Sequence, residues 1–237
     1  MIMQPSFERC QTFINCQLQP GSRHYTPTLS ERRWRAVTIS RQTGSGAHEV
    51  AEELAKYLQS RTPNEQPAWT VFDRNLVEKV LEEHHLPERM ARFLAEDRIS
   101  EMEDTMDELF GLRPASWAFV RKTAETILHL VELGKVIIIG RGAGIITRNL
   151  DYVFHVRLVG SLEKRLEHVQ EFYKLGPKAA LEFIEKEDRG RKRYLKKYLD
   201  RDIDDPLLYH TVINTDLVPY SKAARMIGDA VHCTMAE

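Results

Sequence analysis

One stretch in the first quarter of the chain constrains its fold more than any other. It opens with the short apolar, β-branched run Ala36–Ile39, which predicts a buried strand. A turn-rich segment, SRQTGSG, follows at 40–46. Val50, Leu54 and Leu58 then recur at helical spacing, with charged residues between them, which predicts an amphipathic helix. A strand, a glycine loop and a helix in this order direct backbone N–H groups and a positive helix end to one point. The sequence therefore predicts an anion site, and phosphate is the expected anion.

The same Gly44-Ser45-Gly46 triplet is also common in ordinary turns. Its place between a strand and a helix is what favours phosphate binding over that alternative.

Composition limits the class of protein. A chain of 237 residues can bury a full core, so we expect one α/β domain with a small insert. A net charge of −1 argues against a general nucleic-acid binder, and no apolar run approaches the ~20 residues of a membrane span. The N-terminus lacks the pattern of a secretory signal. Cys10, Cys16 and Cys233 show no metal-ligand spacing, and we interpret them as reduced thiols of a cytoplasmic protein.

Residues 1–34 carry three prolines and no sustained hydrophobic period. We expect a loosely held extension here. The alternative is a short docked helix that uses Phe7, Phe13, Ile14 and Leu18.

A second strand is predicted at Trp69–Phe72, and Asp73 stands at its carboxyl end. Asp73 either caps the helix predicted over Arg74–Glu83 or belongs to a site, because α/β sheets bind ligands at this edge. The acid-rich stretch that follows, 87–112, is typical of a solvated helical face. A mobile helical insert over the site is the functional alternative, and a Mg²⁺-binding carboxylate cluster is the third.

The most apolar run, Lys135–Ile139, predicts a central parallel strand buried on both faces. It leads into Gly140-Arg141-Gly142-Ala143-Gly144. Glycines allow a ligand to approach the backbone closely, and arginine offers a fork that matches phosphate oxygens. Arg141 is therefore a candidate phosphate ligand, and a surface arginine in a flexible turn is the alternative.

The last third of the chain predicts two more strands, Tyr152–Leu158 and His210–Asn214, and a closing helix over Pro219–Val231. Between them, Lys164–Leu199 reads as a helix-loop-helix region with a basic second half. Such a run is usually a solvated helix face, but opposite a phosphate loop it also fits a lid that closes on polyphosphate. The spacing of Asp188 and Arg191 predicts a same-face pair.

Five stretches, in order, resemble the cytidylate kinase-like family, a branch of the P-loop nucleoside monophosphate kinases. They are ISRQTGSGAHEVAEELAKYL, VFDR, VIIIGRGAGII, VFHVRLVGSLEKRLEHV and EDRGRKRYLKKYLDRDIDDPLLYHTVINTDLV. The resemblance covers about residues 36–231. It implies a three-layer α/β/α P-loop kinase fold with a five-stranded parallel sheet of order 2-3-1-4-5. It further implies a kinase-like domain at 35–237, with a helical nucleotide-binding insert at about 74–112 and a lid at about 175–205.

The resemblance also implies transfer of the γ-phosphoryl group of ATP, used with Mg²⁺, to CMP or dCMP. This chemistry depends on positioning and charge neutralisation. The implied partners are small nucleotides rather than a nucleic-acid polymer or a membrane. The residues implied for the ATP phosphates are Arg41, Thr43, Gly44, Ser45, Gly46, Ala47 and His48. Those implied for the acceptor are Asp73, Arg74, Arg141 and Gly142. Those implied for catalysis are Arg141, Arg189, Arg191 and Arg193.

The chain departs from the usual phosphate loop, which is G-x-x-x-x-G-K-[ST] or, in these kinases, the same motif with one residue inserted before the Ser/Thr. Ala47 stands at the lysine and Glu49 at the magnesium-binding hydroxyl. The family resembled lacks the lysine too, but it typically has Gly-Arg where this chain has Ala47-His48. One charge-assisted phosphate contact, worth about 1.5–3 kcal/mol, is therefore lost. Arg41 or a lid arginine is the expected substitute, and Glu49 and Asp73 are the candidate metal ligands.

Three functions remain open at this stage. The first is a kinase for a nucleoside monophosphate, favoured by the arginines of the lid and of the GRGAG segment. The second is a nucleotide-binding sensor without phosphoryl transfer, favoured by the missing lysine and hydroxyl. The third is transfer to a different small acceptor, since a fold does not fix a substrate.

Overall fold

The computed structural model describes residues 4–17, 34–73 and 118–233. The predicted helix at 74–83, the acidic stretch and the insert lie outside these residues, as does Arg74. The elements in chain order are α1 (Gln4–Gln17), β1 (Ala36–Arg41), α2 (Ala47–Arg61), β2 (Thr70–Phe72), α3 (Ala118–Leu133), β3 (Val136–Ile139), α4 (Ala143–Ile146), β4 (Val153–Val159), α5 (Leu162–Tyr173), α6 (Pro177–Leu199), a 3₁₀ helix (Pro206–Leu208), β5 (Thr211–Asn214) and α7 (Tyr220–His232).

The five strands form one parallel sheet in the order β2-β3-β1-β4-β5. This confirms the predicted fold class and strand order. β1 is the central strand, and its Ile39 lies in register with Ile139 of β3 and with Val156 of β4. Because the strands are parallel, their carboxyl ends meet at one edge of the sheet. The loops that follow β1 and β3 are therefore neighbours.

Helices cover both faces of the sheet. Val37 and Ile39 point to the face packed by α2 and α7, where Leu54 and Ile227 are fully or almost fully buried. Ala36 of the same strand faces the other layer, where α3, α4 and the end of α6 pack. The alternation along β1 builds two cores, because successive side chains of a strand point to opposite faces. The result is the three-layer architecture that the alternating pattern predicts.

α1 covers the outer part of the sheet next to β2. Cys10, Phe13 and Ile14 are buried, and the Phe13 ring meets the ring of Phe72 edge-on with the centroids 5.7 Å apart. The expectation of a loosely held extension is therefore wrong for residues 4–17, where the docked helix is the observed structure. The reason is apolar burial against β2, which the irregular pattern of this segment conceals.

The end of α3 and the start of α5 follow their sequence signals. Gly134 takes a positive φ of 76° directly after α3. Ser161 caps α5 by accepting a hydrogen bond from the Lys164 amide. None of the helices within the described ranges is long and apolar enough to cross a membrane.

His155 is a core residue, as its apolar neighbours predict. Its side chain is buried in β4, and its Nδ1 lies 2.8 Å from the Thr38 hydroxyl. Burial lowers the pKa of His155 to about 3, so the ring is neutral at physiological pH.

Candidate functional site

The glycine loop after β1 has the geometry of an anion-binding turn. Gly46, with φ of +75°, is the residue that caps α2, and it makes no side-chain capping bond. The amides of Ala47 and His48 belong to the first turn, whose N–H groups have no partner within the helix. They carry the positive end of the helix dipole. The positive helix end is therefore where the sequence predicts it.

Hydrogen bonds and close packing on α5 hold this loop in place. The amide of Gln42 donates to the Leu158 carbonyl at 3.0 Å, and the Ser45 hydroxyl donates to the Gln42 carbonyl at 2.9 Å. Gly44, with φ of +87°, packs so closely on α5 that a Cβ there would lie 2.5 Å from the Arg165 carbonyl oxygen. Glycine is needed here both for the conformation and for the space. These contacts within the protein fix the shape of the loop.

A carboxylate from α6 already binds this loop. Asp188 Oδ1 accepts hydrogen bonds from the amide and the hydroxyl of Thr43, each at 2.8 Å. Arg165 donates to the other oxygen at 2.8 Å, and Arg191 pairs with the same carboxylate. Burial alone would raise the pKa of Asp188, but the bonds from Thr43 and Arg191 hold it below its ordinary value. A phosphate that uses the Thr43 amide must therefore displace Asp188.

The predicted pair of Asp188 and Arg191 is thus present on α6. The Ser45 amide, another predicted phosphate ligand, donates to the Gln42 carbonyl at 3.3 Å. Of the predicted cradle, Thr43 and Ser45 are engaged within the protein, whereas Ala47 and His48 lie at the helix end.

The two candidate metal ligands have histidine neighbours. Glu49 Oε1 lies 3.1 Å from His168 Nε2, and this hydrogen bond raises the pKa of His168 against the opposing effect of burial. Burial acts to raise the pKa of Glu49 as well, but the bond from His168 makes the net shift downward. Asp73 Oδ2 lies 3.9 Å from His48 Nε2. Within 4–17, 34–73 and 118–233, no three histidine, cysteine or acidic side chains group as metal ligands.

The second glycine loop follows β3 and has a strained backbone. Gly140, Arg141 and Gly142 all take positive φ angles, of 83°, 54° and 72°. For arginine this left-handed conformation costs about 1 kcal/mol, and such residues cluster at functional sites. The guanidinium of Arg41 occupies the space that a Cβ at Gly140 would need. The loop therefore brings Arg41 and Arg141 to the same place.

These two arginines and Arg191 line one cavity of about 270 Å³ at the carboxyl edge of the sheet. Arg41 comes from the end of β1, Arg141 from the loop after β3, and Arg191 from α6. Burial lowers the pKa of Arg41 to about 10, and the charge of Arg191 acts in the same direction. The charges of Arg191 and Arg141 both act against the charged form of Arg41, whereas Asp73 and Glu187, which also lines the cavity, support it. Three cations against one carboxylate among the described lining residues make an anion a suitable ligand for this cavity.

Not every predicted arginine reaches this cavity. Arg189 and Arg193 are exposed on α6 and do not line it, and Arg189 lies 3.9 Å from Glu185 one turn before it. Successive helical residues are rotated by about 100°, so Arg191 faces inward while 189 and 193 face away. A direct role for Arg189 or Arg193 in phosphoryl transfer stays a prediction.

Two residues of the site escaped sequence reasoning. Tyr194 lines the cavity one turn after Arg191, and Arg165, almost fully buried, bonds the Thr43 carbonyl at 3.2 Å as well as Asp188. The spacing of Glu187, Arg191 and Tyr194 by four and three residues was the available signal, since it places them on one helical face. For Arg165 the sequence offers no comparable signal.

Comparison with known proteins assigns the chain to a family. The model of the cytidylate kinase-like family matches residues 36–217 of this 237-residue chain. The chain belongs to the cytidylate kinase-like family. No curated protein matches it. Among solved structures, an uncharacterised protein from Eubacterium ventriosum ATCC 27560 is similar over 84% of this chain and 98% of its own, with a TM-score of 0.65 and 20% identity.

The cytidylate kinase-like match spans both glycine loops and α6. It thus includes Arg41, Arg141 and Arg191. At 20% identity the similar structure shows a shared fold alone. Family membership indicates a nucleotide kinase-like protein, and the acceptor and the residue roles belong to the proposal below.

Proposed function

We propose that this chain is an ATP-dependent kinase that phosphorylates a nucleoside monophosphate, with CMP or dCMP as the expected acceptor. One observation carries the proposal: guanidiniums from three separate elements, those of Arg41, Arg141 and Arg191, line a single cavity at the carboxyl edge of the sheet. Phosphoryl transfer needs such charge, because it brings two phosphorylated substrates together.

The two glycine loops supply the two phosphate sites of this proposal. The donor triphosphate binds at the positive end of α2, and the acceptor phosphate binds at Arg141. Ile39 and Ile139, the last paired residues before the two loops, are in register, which supports adjacent sites. An acceptor phosphate oxygen then forms a bond to the γ-phosphorus of ATP as the bond to ADP breaks. Close positioning of the two groups supplies much of the rate enhancement.

Arg41 and Arg191 take over the role of the missing loop lysine. Both line the cavity beside the loop, and the guanidinium of Arg191 contacts the hydroxyl of Thr43. Arg191 neutralises charge on the moving phosphoryl group in this proposal. Mg²⁺ enters with ATP as part of the substrate. Glu49 and Asp73, each with a histidine neighbour, stay the two candidate carboxylates for the nucleotide-bound metal.

The experiment is a turnover assay with Mg²⁺–ATP and CMP, dCMP, UMP or AMP, in which ADP and the nucleoside diphosphate are both measured. We expect CMP or dCMP to be converted. Arg191→Ala should lower kcat about a hundredfold with little change in ATP affinity, because its charge acts on the transition state. Arg141→Ala should raise KM for the acceptor. Lys196→Ala, an exposed change on the same helix, is the control.

Two results contradict this proposal. The first is full turnover by Arg191→Ala and Arg141→Ala, which removes both residues from the site. The second is the absence of any diphosphate product when wild-type protein binds ATP.

The second result would favour the alternative function, a nucleotide-binding sensor without phosphoryl transfer. The observations that support it are the alanine at the lysine position and the engagement of the Thr43 amide by Asp188. Calorimetric titration of Mg²⁺–ATP, with ADP measured afterwards in the same sample, separates the two functions. Binding with product supports the kinase, and binding without product supports the sensor.

Small nucleotides are thus the proposed partners, and the cytoplasm is the expected location. The three cysteines, which form no disulfide, are compatible with a reducing compartment.

A further inference from the structure

Two buried donors of the cavity wall have no acceptor. They are the hydroxyl of Tyr194 and the Nε–H of Arg191, neither of which has a hydrogen-bond partner in the part of the chain that the structure describes. A buried polar group left without a partner is destabilising, and such groups are rare in folded proteins. Two of them in the wall of one cavity suggest that the missing acceptor is a ligand.

The positions of these donors indicate where that ligand lies. Arg191 and Tyr194 are three residues apart on α6, so they share the face that lines the cavity. The ring of Tyr194 faces the second glycine loop, since a Cβ at Gly142 would lie 3.7 Å from its Cε1. Arg141 is close enough for its charge to act on the phenol. The hydroxyl therefore belongs to the acceptor side of the cavity.

The hydroxyl is a donor at neutral pH. Burial raises the pKa of Tyr194 further above its ordinary value, although the charge of Arg141 opposes this. The phenol therefore stays protonated. Arg141 and Arg191 also carry donors at this cavity, so a group with several acceptor oxygens suits it best. A phosphate has this character.

Tyr209 provides a comparison within the same cavity. Its hydroxyl donates to the Ile203 carbonyl at 2.8 Å and lies 3.2 Å from Ser40 Oγ. Tyr209 is thus satisfied by the protein itself, whereas Tyr194 is not.

We infer that Tyr194 is a substrate-binding residue, whose hydroxyl donates a hydrogen bond to the phosphate of the acceptor held by Arg141. This inference rests on the proposed function and names a residue that binds its acceptor. It predicts an unusual combination for Tyr194→Phe. Without ligand the variant is at least as stable as wild type, because an unpaired buried hydroxyl is removed. The variant binds the ligand more weakly than wild type does, because a hydrogen bond to a charged group is lost.

The experiment measures CMP binding by calorimetry and thermal stability for wild type, Tyr194→Phe and Tyr198→Phe. Tyr198 is the matched control, since its ring lies 5.3 Å from that of Tyr194 on the same helix but does not line the cavity. We expect Tyr194→Phe to raise Kd for CMP about tenfold or more, with unchanged Kd for Mg²⁺–ATP and an unchanged or higher melting temperature. Tyr198→Phe should leave CMP binding unchanged.

The outcomes separate this inference from the proposed function. If wild type binds CMP and Tyr194→Phe binds it equally well, Tyr194 is not a ligand of the acceptor and the proposed function stands. A fall in melting temperature together with weakened binding of both CMP and ATP would assign Tyr194 a structural role and overturn the inference. If wild type binds no monophosphate, the proposed function fails and this inference fails with it. Where CMP binds without turnover, the effect of Tyr194→Phe on Kd still decides the inference.

Discussion

The two loops at the carboxyl edge of the sheet are both rich in glycine, but they differ in the groups that contact them. Both follow a central strand, and both use glycines with positive φ angles. The loop after β1 is packed from behind by α5, and the carboxylate of Asp188 already binds one of its amides. The loop after β3 faces a cavity in whose wall the Tyr194 hydroxyl and the Arg191 Nε–H have no acceptor among the described residues.

The difference shows that glycine serves two purposes in one site. At Gly44 it lets the backbone of another helix approach, which fixes the loop. At Gly140 it makes room for the flexible end of the Arg41 side chain. On the proposed function, this contrast predicts a rigid donor site beside a more adjustable acceptor site, and the predictions below test it.

The largest effect is expected at Gly44. Its Cβ in Gly44→Ala would meet the Arg165 carbonyl oxygen in a left-handed conformation. We expect the free energy of unfolding to fall by about 3 kcal/mol, from backbone strain together with overpacking. Denaturant titration measures it. Gly176→Ala, where no atom lies within 4 Å, is the control. A loss below about 1 kcal/mol would show that the loop is not held by α5.

The second largest effect is expected at Asp188, the carboxylate that binds the loop after β1. Asp188→Ala leaves Arg165 and Arg191 without their shared carboxylate, so we expect a loss of about 2–3 kcal/mol in unfolding free energy. Inorganic phosphate should restore part of the stability, because it can take the vacated place. Glu185→Ala, which removes an exposed ion pair of the same helix, should change stability by less than about 0.5 kcal/mol. Equal losses in the two variants contradict an anchoring role for Asp188.

A smaller loss is expected at Gly140. There the Cβ meets the end of the flexible Arg41 side chain rather than backbone, so Gly140→Ala should cost about 1–2 kcal/mol, chiefly from its left-handed conformation. Nucleotide binding should weaken more than stability does, because Arg41 is displaced. Calorimetry and denaturant titration on one preparation test this. The contrast between the loops is lost if Gly140→Ala destabilises as much as Gly44→Ala.

The smallest effect concerns pH. The bond to Glu49 raises the pKa of His168 above 6.5, so the stabilisation is complete below pH 6.5 and is lost as the pH rises through the raised value. The pKa of Glu49 is lowered from 4.5, so its contribution is lost as the pH falls below that range. Glu171 supports the charged form of His168, as Glu49 does, and His48 supports the charged form of Glu49.

Buried histidines such as His155, whose pKa is lowered, stabilise the folded state as the pH rises, so the contribution of the His168–Glu49 pair is the difference between wild type and His168→Gln. This difference in unfolding free energy should decrease from about pH 5.5 to about pH 8.5. A parallel pH profile in the variant would show that the pair does not tie α5 to the loop.

The positions of the loops could be predicted from the sequence because they depend on local patterns. The run Val136–Ile139 is apolar throughout, so it had to be a strand buried on both faces, and the glycines after it had to lie at its carboxyl end. The docking of α1 could not be predicted in this way, because it does not depend on a local pattern. Its buried residues Cys10, Phe13 and Ile14 do not form a sustained apolar stripe, and their burial depends on β2.

The arginines show most clearly which features the sequence predicts and which depend on the packing of helices. The sequence marked Arg189, Arg191 and Arg193 together as a basic run. Only Arg191 lines the cavity, because the docking of α6 turns one face inward and leaves the other two side chains exposed. The same docking places Tyr194 next to Arg141 and Asp188 on Thr43.

The sequence by itself determined the five strands and the two glycine loops, since hydrophobic periodicity and glycine spacing act over a few residues, and the resemblance to the family supplied the strand order. The tertiary structure decided which cations converge, which loop amide is already occupied and which hydroxyl lacks a partner. Those features depend on the direction of side chains from helices about twenty residues long, and packing between distant segments sets that direction.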